Sequence, residues 1–114
     1  MTASVSSQVR NALTQVGALG ALSEEELEKL APFGSLQAIA RGQTLLRKGD
    51  IADTLYFVID GKFAVFAGPG QARIGEIGRG EPVGEVAFFR GGARTADVVA
   101  IRQALVLSFH RSQL

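Results

Sequence analysis

Cysteine is absent from the 114 residues, histidine occurs once, at His110, and proline three times. Without thiols the chain forms neither a disulfide nor a thiolate metal centre. With one imidazole it cannot build the usual zinc sites or a histidine-based triad, so most enzyme classes lose their chemistry and no cofactor is expected. A surplus of charge is also missing. Lys and Arg total 12 against 11 Asp and Glu, for a formal net charge of +1, and the basic residues are scattered. Binding a nucleic acid takes a concentrated basic face, so none is expected as a partner. No stretch approaches the ~18 to 20 continuous apolar residues of a membrane helix, and the start lacks the basic and apolar runs of a secretory leader. The expected address is cytoplasmic, with no membrane partner.

What remains is the composition of one globular domain, 46% hydrophobic and 20% charged, long enough to bury a core of its own. Glycine is the outlier. All of the 14 glycines except Gly17, Gly20 and Gly34 follow Arg41, where the chain changes from helical to extended patterning.

Val5, Val9, Leu13 and Val16 recur at helical spacing and line one stripe, with Gly17 or Gly20 to end it. Such a stripe ordinarily feeds the domain's own core, and a homodimer built on it is the alternative. Ser23 followed by Glu26 predicts a capping box, Glu24 to Glu26 suit a helix start, Leu27 and Leu30 point inward, and Pro32 closes the element near Phe33. N-terminal helices are thus expected over 1–34.

From 35 to 110 the period falls to two. Leu36, Ala38 and Ala40 alternate with Gln37, Ile39 and Arg41, and a short run follows at 43–47. Thr54 to Ile59, Lys62 to Ala67, Ala72 to Ile77, Ala96 to Ile101 and Ala104 to Phe109 complete the strands. Gly49-Asp50, Asp60-Gly61 and Gly68-Pro69-Gly70 mark turns, with a hairpin expected around Asp60-Gly61 and a hairpin tip at Gly68-Pro69-Gly70. The fold class is mainly β: an antiparallel jelly-roll β-barrel with N-terminal helices. Phe57, Phe63, Phe66, Phe88 and Phe89 are expected in its core.

One stretch breaks the strand pattern. Gly84-Glu85-Val86-Ala87-Phe88-Phe89 reads as a single helical turn, followed by a loop through Gly91-Gly92-Ala93 to Arg94-Thr95-Ala96. A short helix in a β-roll exposes its first N–H groups, here those of Glu85, Val86 and Ala87, and attracts an anion. Arg94 adds a planar fork that pairs two phosphate oxygens, and Thr95 a hydroxyl and an amide. Glu85 would repel a phosphate unless its carboxylate accepts sugar hydroxyls instead. Taken singly, Glu85 is explained by the helix dipole, and Arg94 by a pairing with Glu81 or Asp97. The case for Gly84, Glu85, Val86, Ala87, Arg94, Thr95 and Ala96 as a ligand site lies in their combination.

This run, with nine residues from Glu85 to Arg94, resembles the phosphate-binding cassette of cyclic nucleotide-binding domains. Leu22-Ser23-Glu24-Glu25-Glu26-Leu27, Arg41-Gly42-Gln43-Thr44-Leu45, Lys48-Gly49-Asp50, Ala52-Asp53 and Leu55 to Gly61 follow in that family's order, over roughly residues 18 to 112. The resemblance implies a regulatory domain rather than an enzyme. It implies that Glu85 accepts the ribose 2′-hydroxyl, that Arg94 pairs with the cyclic phosphate, and that an unidentified effector responds. Thr95 occurs in cGMP-responsive and other members alike; the reading favours cAMP and leaves cGMP open. Two departures stand out. Ala93 replaces the family's proline after Gly91-Gly92, so the loop is expected to cost more entropy to order, and the two covering helices beyond the last strand are expected to be absent or truncated. Both favour the alternative of a degenerate domain that serves as an interaction module. A histidine-rich jelly-roll metalloenzyme is the third reading, and the single histidine opposes it.

Overall fold

The computed structural model describes residues 8–9, 11–12 and 23–113. Residues 8–9 and 11–12 are helical. Of the apolar stripe only Val9 falls among the described residues, and it is fully buried; Val5, Leu13, Val16, Gly17 and Gly20 lie outside them. Helix α1, Glu24–Leu30, starts as its sequence requires: the Ser23 amide donates to Glu26 Oε1 (3.0 Å) and the Glu26 amide to Ser23 Oγ (3.2 Å). This reciprocal pair satisfies two of the orphan donors of the helix start. A 3-10 turn, Ala31–Phe33, carries Pro32 and ends the helical part.

Eight strands follow: β1 Gly34–Ile39, β2 Thr44–Leu46, β3 Thr54–Asp60, β4 Lys62–Phe66, β5 Arg73–Gly78, β6 Pro82–Val83, β7 Asp97–Ala100 and β8 Ala104–His110. Helix α2, Glu85–Arg90, interrupts them between β6 and β7. They form two antiparallel sheets of four, β1-β8-β3-β6 and β2-β7-β4-β5. This is the mainly β jelly roll that the pattern implies, as two facing sheets rather than a closed barrel. The strand that sequence reading missed, β6, is two residues long and opens on proline, too short for any periodicity.

Two strands carry long apolar runs, LYFVI in β3 and, broken only by Ser108, ALVLSF in β8, and the packing explains why. Leu55, Phe57, Ile59, Leu107 and Phe109 face one core together with Val9, Ala12 and Ala31; Val58, Ala104 and Val106 face another with Phe63, Val83, Val98 and Ala100. The first sheet is therefore covered on both faces, by helical residues outside and by the second sheet inside. A strand buried on both faces has no polar side to show. Each large side chain so buried contributes about 1.5–3 kcal/mol; the Phe57 and Phe109 rings add an edge contact at 6.3 Å. By contrast β5, RIGEIG, is largely exposed.

Several expectations are corrected. The turn at Asp60-Gly61 makes no hairpin, because β3 and β4 belong to different sheets; at Gly61 the chain crosses between them. Gly61 has φ +99°, and a Cβ there would lie 2.6 Å from the Ala104 Cα, so only glycine fits this corner. The hairpin tip expected at Gly68-Pro69-Gly70 does form, joining β4 to β5 with Ala67 N–H to Ala72 O at 3.2 Å. In β1 the core positions are Leu36 and Ile39, while Ala38 and Ala40 are exposed. Phe89 is 73% exposed rather than in the core.

Candidate functional site

Helix α2 begins after Gly84, which adopts a left-handed conformation (φ +73°). The first intrahelical bond runs from the Phe88 amide to Gly84 O at 3.2 Å, so the amides of Glu85, Val86 and Ala87 have no partner within the helix. They open onto a cavity of about 190 Å³. All seven residues expected at the site, Gly84, Glu85, Val86, Ala87, Arg94, Thr95 and Ala96, line it. Leu46, Val65, Ile77 and Val98 complete an apolar wall. Sequence reasoning missed these four, since nothing in a strand's alternation says which end of a sheet faces a pocket.

Arg94 is only 5% exposed, the one charged or polar residue buried among those described. Neither of its expected carboxylate partners is engaged: Asp97 Oδ1 accepts the Lys48 amide (2.7 Å) and Glu81 Oε1 the Gly78 amide (3.0 Å). Its guanidinium instead donates to two main-chain carbonyls, Gly84 O through Nη1 at 2.7 Å and Thr54 O through Nη2. These bonds occupy two of the five N–H donors of the fork. Burial lowers the Arg94 pKa, Tyr56 and Asp53 opposing that shift and Arg111 reinforcing it; an arginine so placed still carries its charge at neutral pH. The absence of a side chain at Gly84 is what allows this approach, because a Cβ there would collide with Arg94 Nη1.

The loop that carries Arg94 is tied down. Arg94 N–H donates to Asp50 O (2.7 Å), Gly49 N–H to Arg94 O (2.9 Å) and Ala52 N–H to Gly92 O (2.9 Å), with a bridge between Ile51 and Ala93. Backbone pairing to residues 49–52 thus holds Gly91-Gly92-Ala93, which lacks the family's proline, in place. Glu85 is half-buried on the cavity wall, and among the described residues its carboxylate has no hydrogen-bond or ion-pair partner. Thr95 is exposed at the rim. Beyond the wall, Asp53 accepts from the Thr54 hydroxyl (3.0 Å) and lies 3.4 Å from His110 Nε2; these contacts, Thr54 first, hold its carboxyl below the usual range against a small cost of burial. The described residues contain no cluster of His, Asp or Glu able to hold a metal and no helix long and apolar enough to cross a membrane.

A short helix start, a buried arginine and a neighbouring glutamate thus converge on one cavity of a jelly roll, and comparison with known proteins gives the class. The cyclic nucleotide-binding domain pattern matches residues 36–114, and the chain belongs to that family. It is 33% identical over 97 residues to an NTE family protein of Mycobacterium bovis, covering 85% of this chain and 16% of that protein. With the lysophospholipase nte1 of Aspergillus fumigatus it shares 39% identity over 74 residues, 62% of this chain and 5% of the relative. The chain therefore spans a small fraction of these relatives. Among solved structures, the regulatory subunit of a cAMP-independent protein kinase A from Trypanosoma brucei superposes with a TM-score of 0.86 at 28% identity, over 94% of this chain and 39% of that one. The regulatory domain of Toxoplasma gondii protein kinase A, solved with cAMP, gives 0.83 at 25% identity, over 95% and 43%.

Proposed function

We propose that this domain binds a 3′,5′-cyclic nucleotide and transmits its occupancy to an effector. The observation that carries the reading is the convergence of the first-turn amides of α2, the Glu85 carboxylate, the Arg94 fork and the Thr95 hydroxyl on one cavity. A cyclic phosphodiester is a monoanion with two free oxygens. The amides near Ala87 and Thr95 and the remaining donors of Arg94 suit those oxygens, and burial of the guanidinium strengthens its charged hydrogen bonds. Glu85, free of other partners, accepts the ribose 2′-hydroxyl. The cavity is smaller than the roughly 300–1,000 Å³ of sites that enclose a drug-sized ligand, so sugar and phosphate seat in it and the base extends along Leu46, Val65, Ile77 and Val98. That wall is hydrocarbon, with Thr95 the one side-chain hydroxyl beside it, and offers little to the extra polar edge of guanine. The ligand is accordingly cAMP in preference to cGMP.

No catalytic role is assigned to the domain. Its relatives include kinase regulatory subunits and long polypeptides of the NTE type, and an effector in the same or a partner chain fits this pattern. The buried fork of Arg94, already bonded to two carbonyls, favours a second reading: a domain of the same fold that has settled into a nucleotide-free interaction module. Calorimetric titration with cAMP and cGMP decides between them. Arg94→Ala is expected to weaken binding about 30-fold or more, the cost of removing one partner of a buried charged contact. Arg94→Lys, which keeps the charge, controls for unfolding. Wild-type protein indifferent to millimolar nucleotide, with no rise in Tm, would establish the second reading.

A further inference from the structure

A second arginine, which the sequence did not single out, holds the cassette from behind. Arg111 follows β8 directly. Its Nη2 donates to two carbonyls that belong to different segments, Ala52 O at 3.0 Å and Phe88 O, and its guanidinium lies 4.2 Å above the Phe88 ring. Its own amide donates to Asp53 O at 2.7 Å. Phe88 O is one of the last carbonyls of α2, which have no acceptor role within the helix, and a cation there both satisfies the group and complements the helix dipole. A planar fork stacked on a ring and bonded to two carbonyls is a geometry that lysine cannot reproduce.

The two arginines close a circuit. Arg94 grips Gly84, at the start of α2, and Thr54; Arg111 grips Phe88, near the end of α2, and Ala52. Helix α2 is thus clamped at both ends to the 49–54 segment that also pairs with the main chain of Arg94. We propose that Arg111 is a positioning residue for the ligand site: it touches nothing in the cavity, yet it fixes the angle of α2, and so the aim of the Glu85, Val86 and Ala87 amides. This inference rests on the cyclic nucleotide reading for its affinity consequence and on the free protein for its mechanical one.

The test uses Arg111→Lys and Arg111→Ala beside Arg94→Ala, with cAMP titration well below each Tm and amide exchange without ligand. Positioning predicts that both Arg111 variants stay folded, bind cAMP about tenfold more weakly, and exchange the Gly91 amide, which caps Ala87 O, faster than wild type, while the β4–β5 hairpin amides are unchanged. A merely structural arginine predicts lower Tm with wild-type affinity, and that outcome overturns the proposal even if Arg94→Ala abolishes binding. Should wild type bind no nucleotide, the function proposed above fails, and exchange at Gly91 alone decides: acceleration supports the clamp, and equal rates remove it.

Discussion

Two glycine-rich loops of this domain look alike in sequence and behave oppositely in the fold. Gly68-Pro69-Gly70 closes β4–β5 with bonds inside its own turn, Ala67 to Ala72 and Gln71 to Gly68, and nothing lies near a Cβ built at Gly70. Gly92 and Arg94 together make three backbone bonds, two of which carry the Ile51–Ala93 bridge, to a segment some forty residues earlier in sequence, and the loop delivers Arg94 into the interior. Composition predicts mobility for both. The difference lies in partners distant along the chain, so a glycine-rich loop is loose only where the tertiary structure leaves its amides unclaimed.

The sharpest way to break the comparison is to add a methyl at Gly70, in the first loop, and at Gly84, the glycine that the Arg94 delivered by the second loop grips. Gly84→Ala forces a left-handed alanine and pushes Arg94 Nη1 from its carbonyl, for an expected cost of about 3 kcal/mol, while Gly70→Ala incurs the backbone strain alone, about 1 kcal/mol. Denaturant melts check both, and equal costs would remove the distinction. Next in size, inserting two glycines after Gly92 should forfeit about 2 kcal/mol through the three bonds to residues 49–52, whereas the same insertion after Gly70 should cost about 0.5 kcal/mol of loop entropy; parallel thermal scans compare them.

Smaller still, Ala93→Pro is expected to stabilise by about 0.4–1 kcal/mol. The Ile51–Ala93 bridge is carried by the amides of Ala52 and Arg94, which leaves the Ala93 amide outside the ladder; a lowered Tm in this variant would show that amide to be in use. The least effect concerns Asp53. Its folded pKa lies below its unfolded value, so its contribution is present above the unfolded pKa and lost as pH falls through the folded one. Asp53→Asn should therefore flatten the acid limb of the stability profile slightly and leave neutral-pH behaviour nearly unchanged; a profile identical to wild type over pH 2–5, roughly the range in which carboxylates titrate, contradicts this.

Much of the fold was legible because it is written in local chemistry. The Ser23–Glu26 capping box, the strand segments and their turns depend on neighbours a few residues away. Seven of the eleven cavity residues were legible as well, from a helix start and an arginine whose spacing from Glu85 resembles the family's cassette, while the apolar wall was not. The misreadings share one cause. Gly61 reads as a hairpin turn because a turn signal does not say which sheet the next strand joins. Phe89 reads as core because hydrophobicity does not say which face of a two-turn helix is covered. Arg111 carries no signal at all: its partners, Ala52 and Phe88, are carbonyls, which every residue owns.

By itself, then, the sequence determined the period of each segment, the places where the backbone could bend, and the set of groups able to meet an anion, because these follow from side-chain chemistry and short-range sterics. The tertiary structure alone decided that β3 and β8 are buried on both faces, that Arg94 spends two donors on carbonyls rather than on a carboxylate, and that a second arginine clamps α2. Those outcomes hang on main-chain groups brought together from distant positions, and an N–H or C=O is identical in every residue that could have supplied it.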